Sequence, residues 1–267
     1  MAEKCCNKLR FATYNCKGNG ADRFEYMKCI LANCDFLLVQ EHWLLQNDIK
    51  PKFEKHLNNI NVTGVSGMDS TKLLCGRPYG GCSIVWHKNL NCHVVPLEIF
   101  CKRCCGMIIT INDIKMLLFN VYMPCDTESD IANIEEYNSI LDHITGICSI
   151  NTDITKVIIG GDLNTDLIRD RSLHTDSLVN FMSSECFHAC LYESVSSVDF
   201  TYESSVNGTR STIDHFLISD NLRSVVSDYR SEHDGGNLSD HSPVLLTLNI
   251  GIHFLCSKDR LYKCKPF

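Results

Sequence analysis

Carboxylates, amides and a histidine recur in this sequence where apolar runs stop. The run 9–15 ends in Asn15, with Gly18 and Gly20 behind it; the run 36–40 leads into Glu41; and the run from Val157 passes through two glycines into Asp162 and Asn164. Tyr122 stands before Met123-Pro124, Asp214 lies within 211–219, and Asp240 and His241 come just before the last apolar run. Taken singly, each is a turn residue, because Asp and Asn favour turns. Gathered at one edge of a sheet sandwich, the six segments would crowd carboxylates that repel one another unless a cation or a proton relieved them. Glu41, Asp240 and the amide oxygen of Asn15 are hard oxygen donors, a set that suits Mg²⁺ or Mn²⁺ and not zinc. Mg²⁺ takes one or two carboxylates and leaves its other positions to water and phosphate, so the expected substrate is a phosphoester.

Positioning such a set requires many strands. Runs 9–15, 36–40, 82–87, 92–100, 107–111, 115–122, 156–160, 211–219 and 243–250 read as strands bounded by Gly, Pro, Asn or Asp. Helical spacing marks 23–32 and a longer stretch from Ile131 to about Cys148, where Ile134, Tyr137, Ile140, Leu141 and Ile144 recur at intervals of three and four; 176–182 is a weaker third. Strands outnumber helices and several neighbours are close enough to form hairpins. This predicts a layered α+β or α/β sandwich, not a TIM barrel or Rossmann sheet, as a single domain over 1–267 with its core at about 8–250.

The ordered set Tyr14-Asn15, Gln40-Glu41, Tyr122-Met-Pro124, Gly161-Asp-Leu-Asn164, Ser211-x-Ile-Asp214-His215 and Ser239-Asp-His241 resembles the endonuclease/exonuclease/phosphatase superfamily. The resemblance implies a four-layered α/β sandwich, two β-sheets face to face with helices outside, and a divalent-metal phosphodiesterase site at one end of the sheets. It makes Glu41 the principal metal ligand, with Asn15 and Asp240 nearby directly or through water. Asp162 would orient and deprotonate the attacking water, and Asn164 would hold that water or the scissile phosphate. His241 would donate to a phosphoryl oxygen, Asp214 would fix its tautomer and keep it charged, and Tyr122 would reach the phosphate or leaving group. Phe200-Thr-Tyr202 and the segment from Asn237 to Val244 are similar to the endonuclease domains of non-LTR (LINE-type) retrotransposons. On that finer match Thr201, Ser211 and Ser239 fall at substrate-contacting positions. The segment between Thr201 and Ser211 falls at a loop that lies against the DNA minor groove. In it Asn207-Gly208 predicts a two-residue hairpin turn, because both positions accept positive φ, and Arg210 follows.

Composition limits the partners. The 267 residues carry 25 Lys+Arg against 32 Asp+Glu, a net charge of −7, so bulk electrostatics alone would not hold a nucleic acid. Residues 257–267 contain four basic residues against Asp259, which makes this tail, or start of a linker, +3 and everything before it −10. DNA held by the main body must therefore be held by local contacts or metal. The 17 cysteines are odd in number, and no apolar leader or membrane span is apparent, so reduced thiols and an intracellular protein, nuclear at its point of action, are expected. Cys101-x2-Cys104-Cys105 with Cys92 and His93 could be drawn as a zinc site but lacks paired C-x2-C spacing, which favours packed thiols. The functional expectation is a Mg²⁺-dependent (Mn²⁺ possible), monomeric DNA-nicking endonuclease of the retrotransposon type. It would supply a 3′-hydroxyl for target-primed reverse transcription, with a reverse transcriptase downstream in a longer polyprotein. The alternatives are an abasic-site repair endonuclease or other phosphoesterase on the same scaffold, and a catalytically dead binding module. The short stretch before the first strand and the absence of basic substrate loops argue against the repair and phosphatase branches, and the intact set of motif residues argues against the last.

Overall fold

The computed structural model describes residues 8–69, 71 and 72, 76–126, 131–169 and 172–250. The basic tail lies outside them. Two six-stranded mixed sheets form the centre. The first runs, from edge to edge, β13 (Val226–Ser231), β14 (Val244–Asn249), β1 (Lys8–Asn15), β2 (Phe36–Gln40), β4 (Cys82–His87) and β3 (Ile60–Val65). The second runs β5 (His93–Pro96), β6 (Cys104–Ile111), β7 (Ile114–Tyr122), β8 (Val157–Asp162), β12 (Asp214–Ser219) and β9 (Phe187–Ala189). A separate short hairpin joins β10 (Tyr202–Glu203) to β11 (Arg210–Ser211).

Side chains alternate across a strand, and here the alternation builds three apolar layers. Leu9 and Phe11 of β1, Phe36 and Leu38 of β2, Met116 and Leu118 of β7, and Phe216 and Ile218 of β12 point between the sheets. Their neighbours Ala12, Tyr14, Leu37 and Val39 face α1 (Ala21–Leu31) and α2 (Ile49–His56) through Phe24, Met27 and Phe53. On the far side Leu117, Phe119, Ile159 and Leu217 face α3 (Ile131–Ile150) and α4 (Leu173–Ser184) through Tyr137, Ile140, Leu178 and Phe181. Helices, sheet, sheet and helices make the expected four layers.

The same alternation places the polar residues. β1 and β2 are parallel, as are β7 and β8, while β12 runs antiparallel to β8 with Asp214 opposite Asp162. Along the face between the sheets each strand turns polar at the same end: Phe11 gives way to Thr13 and Asn15, Leu38 to Gln40, Leu118 to Asn120, Ile158 to Asp162, and Phe216, read backwards, to Asp214. Gly160, between Ile158 and Asp162, has no room for a side chain, since a Cβ there would lie 2.4 Å from Phe216 and 2.8 Å from Leu38.

Gln40 and Asn120 tie the sheets together under this polar end. Gln40 Nε2 donates to Asn120 Oδ1 (2.6 Å) and Thr13 Oγ1 (2.9 Å), and Asn120 Nδ2 donates to the carbonyls of Val39 (3.0 Å) and Ser83 (2.8 Å), all buried. Asn120→Ala strands these partners in the interior and is expected to cost about 1–3 kcal/mol of stability. Urea unfolding measures it, and an unchanged midpoint would show that the bridge contributes nothing.

Several sequence expectations are revised. β3, β9, β13 and α2 were not anticipated, and the strand expected over 92–100 is only His93–Pro96. The strand expected over 211–219 breaks at Thr212 and Ile213, between β11 and β12. Cys104 and Cys105 point to opposite faces of β6, one toward the helices and one between the sheets, so they cannot share an ion. Burial pushes both thiols up. Among the described residues most cysteines are free thiols, but Cys186 is disulfide-bonded, against the expectation of reduced thiols throughout.

Candidate active site

The polar end of the sandwich opens into a cleft of about 810 Å³ lined by Glu41, Tyr122, Asp162, Asn164, Ser211 and His241, with Lys17 and Tyr202 at one side. Two of the lining residues are aimed by unusual backbone. Glu41 follows β2 at φ 54°, and Asn164 follows β8 at φ 47°; both adopt the left-handed conformation that non-glycine residues seldom hold. The Glu41 N–H donates to the Gly81 carbonyl at 2.9 Å, which fixes the turn.

Three buried groups lie in a row, joined by one hydrogen bond and one wider gap. His241 Nδ1 donates to Asp214 Oδ2 at 2.9 Å, and its Nε2 stands 3.9 Å from Asp162 Oδ2. A carboxylate on Nδ1 leaves the Nε2 proton facing Asp162 and the cleft. Burial opposes a charged imidazole, yet Asp214 and Asp162 outweigh it and raise His241 to about 9. Burial, with Asp214 behind it, pushes the Asp162 carboxyl up to about 7 against the pull of His241. Asp162, Asp214 and His241 bring ligand-type atoms within 4.8 Å of one another. The Asp214–His241 hydrogen bond already engages two of those atoms. Asp214→Asn is expected to lower the His241 pKa from about 9, visible as an earlier midpoint in an NMR titration of the metal-free protein. The alkaline limb of activity should move to lower pH with it, because the protonated imidazole is lost sooner as pH rises. An unmoved midpoint would mean that Asp214 does not hold the charge.

Beside this chain lie the expected metal ligands. Glu41 Oε1 accepts from Asn15 Nδ2 (2.9 Å) and Oε2 from Trp43 Nε1 (3.1 Å). Asn15 Nδ2 also donates to Asp162 Oδ2 at 2.8 Å, while its Oδ1 accepts the Lys17 backbone N–H. Asn15 thus spaces two carboxylates through its NH₂. Asp240 Oδ2 pairs with Lys17 Nζ at 2.6 Å, and its buried Oδ1 has no hydrogen-bond partner. The buried orphan oxygen of Asp240 and the half-buried carboxylate of Glu41 are hard donors of the kind a divalent cation takes.

The remaining residues divide. Tyr122 lines the cleft, its phenol pushed well above the usual range by burial and then by Glu41 and Asp162. Asn164 donates Nδ2 to the Met123 carbonyl at 2.8 Å, and its N–H donates to Asp162 Oδ1 at 3.0 Å. Ser211 lines the cleft. Thr201, expected at the substrate, is fully buried, and its Oγ1 accepts from the N–H groups of Ile213 (2.9 Å) and Asp214 (3.0 Å), which makes it a latch for the start of β12. Ser239 is turned inward, donating to the Asn15 carbonyl at 2.7 Å. Arg210 is held within the hairpin by Glu203 (3.1 Å) and lies over the Phe200 ring at 4.2 Å. Asn207 is exposed, and the Asn207-Gly208 pair does not form a two-residue turn. Only Gly208 has positive φ; the loop is longer, closed by Ser204 N–H to the Thr209 carbonyl, and Asn207 Oδ1 accepts from Thr209 N–H. Tyr202 and Gln40 stood in the sequence motifs without a role, and Lys17 and the Gln40–Asn120 bridge were not anticipated. Tyr202 sets its ring edge-on to His241 at 5.0 Å. The signal for Lys17 was its place between Asn15 and Gly18.

Residues 116–245 match the family described as endonuclease-reverse transcriptase. The endonuclease domain of TRAS1, a telomere-specific non-LTR retrotransposon, superposes with a TM-score of 0.68 at 14% identity, covering 91% of this chain and 99% of that one. The abasic-site (AP) endonuclease LMAP of Leishmania major gives 0.72 at 16% identity, covering 91% and 88%. The mannosyl-6-phosphatase Bt3783 of Bacteroides thetaiotaomicron gives 0.61 at 16% identity, covering 89% and 98%. No curated protein sequence matches the chain. The matched segment covers just under half of the chain, so over 116–245 in sequence, and in its two-sheet architecture as a whole, the chain is similar to the endonuclease/exonuclease/phosphatase enzymes.

Proposed function

We propose that the chain is a Mg²⁺-dependent endonuclease that nicks DNA and leaves a 3′-hydroxyl, as the nuclease module of a non-LTR retrotransposon whose reverse transcriptase follows it. The observation that carries this reading is the Asp162–His241–Asp214 chain opening onto the cleft beside Glu41 and Asp240. The description of the matched family, which joins an endonuclease to a reverse transcriptase, supports the downstream partner.

Glu41 and Asp240 Oδ1 would hold the divalent ion, Mg²⁺ or Mn²⁺, which when bound polarises a phosphoryl oxygen. Asp162, with a carboxyl near neutrality, is suited to take a proton from water at physiological pH and regenerate afterwards. The Asn164 N–H and Asn15 Nδ2 fix its two oxygens, so the lone pair used is set by the frame. His241 Nε2–H, held charged by Asp214, donates to the phosphoryl oxygen as negative charge grows there. Tyr122 keeps its proton and can donate to the phosphate or leaving oxygen.

The hairpin supports a duplex substrate. The Glu203 N–H donates to the Asp240 carbonyl at 2.9 Å, which pins β10 to the catalytic segment, and Val206 at the tip is 93% exposed. An apolar tip that enters a minor groove selects by width and deformability. Replacing residues 203–209 with a short Gly-containing turn is expected to scatter nick positions on one duplex while leaving total cleavage largely intact. An unchanged nick pattern, or loss of all cleavage in a folded variant, would remove the hairpin as the specificity element. The function is tested by incubation with supercoiled plasmid, an abasic-site oligonucleotide and a phosphoinositide, each with and without Mg²⁺. Plasmid nicking above the other two is expected, and preference for either other substrate would overturn the assignment.

A further inference from the structure

Lys17 sits where the acidic cleft most needs a positive charge. Its ammonium is 2.6 Å from Asp240 Oδ2 and 5.6 Å over the Tyr202 ring, and its side chain borders both the catalytic cleft and a second cleft beyond Asp240. The residue is held at φ 46°, with its N–H on Asn15 Oδ1 and the following Gly18 N–H on the Glu41 carbonyl at 2.9 Å. Backbone in this region is disfavoured for a lysine and persists where its surroundings dictate it. Glu41, Asp126, Asp162 and Asp166 also line the cleft, and its other basic residue, Arg169, pairs with Asp166 at 3.3 Å. A phosphodiester entering here meets carboxylates on most sides. Lys17, with about a third of its side chain exposed, is the ammonium beside Asp240.

We propose that Lys17 is a protein-borne cation of the catalytic centre: it occupies one oxygen of Asp240, so that a single divalent ion binds at Glu41 and Asp240 Oδ1, and it gives its remaining N–H bonds to the scissile phosphate. The proposal rests on the phosphodiesterase reading above. A compact ammonium with three donors can serve a carboxylate and a phosphate at once. Asp240 Oδ2 is thereby closed to a second ion.

The test uses Lys17→Met, which keeps the stem and removes the charge, and Lys17→Arg, which keeps the charge. Mn²⁺ titration followed by electron paramagnetic resonance, without DNA, should give one bound ion in the wild type. In Lys17→Met a second ion should enter or the first should bind about 10-fold more tightly, because a partly buried carboxylate loses its ion-pair partner. In Mg²⁺-dependent nicking, Lys17→Met should raise KM for duplex DNA about 10-fold, the scale of one charge-assisted hydrogen bond, with partial rescue in Lys17→Arg. Glu41→Ala separates the two claims. If it abolishes Mn²⁺ binding while Lys17→Met leaves both the Mn²⁺ isotherm and KM unchanged, the role of Lys17 is overturned and the phosphodiesterase reading stands. If the wild type binds no Mn²⁺, that reading fails and Lys17 falls with it.

Discussion

Glu41→Ala is expected to lower Mg²⁺-dependent nicking on the order of 10³-fold while the protein stays folded, since a bound ion supplies several kcal/mol of transition-state stabilisation. The geometry separates catalysis from folding at this position. Glu41 is half-buried at the cleft, and of the two donors it would abandon, Asn15 Nδ2 is buried and Trp43 Nε1 belongs to a partly exposed ring. Asn15 Nδ2 also keeps its bond to Asp162. The thermal midpoint should therefore move little while Mn²⁺ binding is lost. Glu41→Asp tests the reach: the shorter carboxylate keeps the charge but retreats from the cleft, so it should recover only part of the activity. Unchanged Mg²⁺-dependent rates in Glu41→Ala would remove Glu41 from the site.

Asp162→Asn is expected to cost about 10²–10⁴-fold in kcat, the range for loss of a positioned general base, and to raise stability at the same time. The carboxyl is pushed from 3.8 up to about 7 by burial and by Asp214. A folded-state pKa above the unfolded one means that ionisation favours the unfolded chain. The penalty is absent below pH 3.8, where both states are protonated, grows as pH rises, and is complete above about 7. The neutral amide escapes it. In EDTA the variant should match the wild type near pH 4 and melt higher near pH 8, a trade of stability for activity of the kind functional sites make. A lower midpoint at pH 8 would show that the hydrogen bonds to Asn15 and Asn164 outweigh the ionisation penalty.

The sequence is most legible where strands lie inside a sheet. β1, β2, β4, β7, β8 and β14 have neighbours on both sides, carry apolar residues on both faces, and were anticipated within a residue or two. β3, β9 and β13 are edges, and an edge needs less apolar pattern: in β13 only Tyr229 is fully buried, among Ser, Asp and Arg. α2 escaped for a related reason, because among Lys, Pro, Glu and His only Ile49 and Phe53 anchor it. The site residues were legible because period-two alternation carries a core face straight into a polar end, as Ile158, Gly160 and Asp162 do. Bonding partners inside that end were not legible. Nothing in the spacing says that Asn15 turns its NH₂ to Glu41 and Asp162, that Thr201 latches backbone, or that Lys17 reaches Asp240, since these depend on how two sheets and three loops meet. The hairpin turn misled for a local reason: Asn207 satisfies itself through an Asx-type bond to Thr209 and needs no positive φ.

The most direct test of the central claim is the chemistry of the end produced on supercoiled plasmid in Mg²⁺. The nicked circle is isolated and offered to a DNA polymerase with labelled nucleotides and no end-processing enzyme. The arrangement of Asp162, His241 and Glu41 predicts nicking that requires the metal and nicks that extend at once from a 3′-hydroxyl. Nicking that proceeds equally in EDTA, or nicks that must first be treated with a phosphatase, would contradict it.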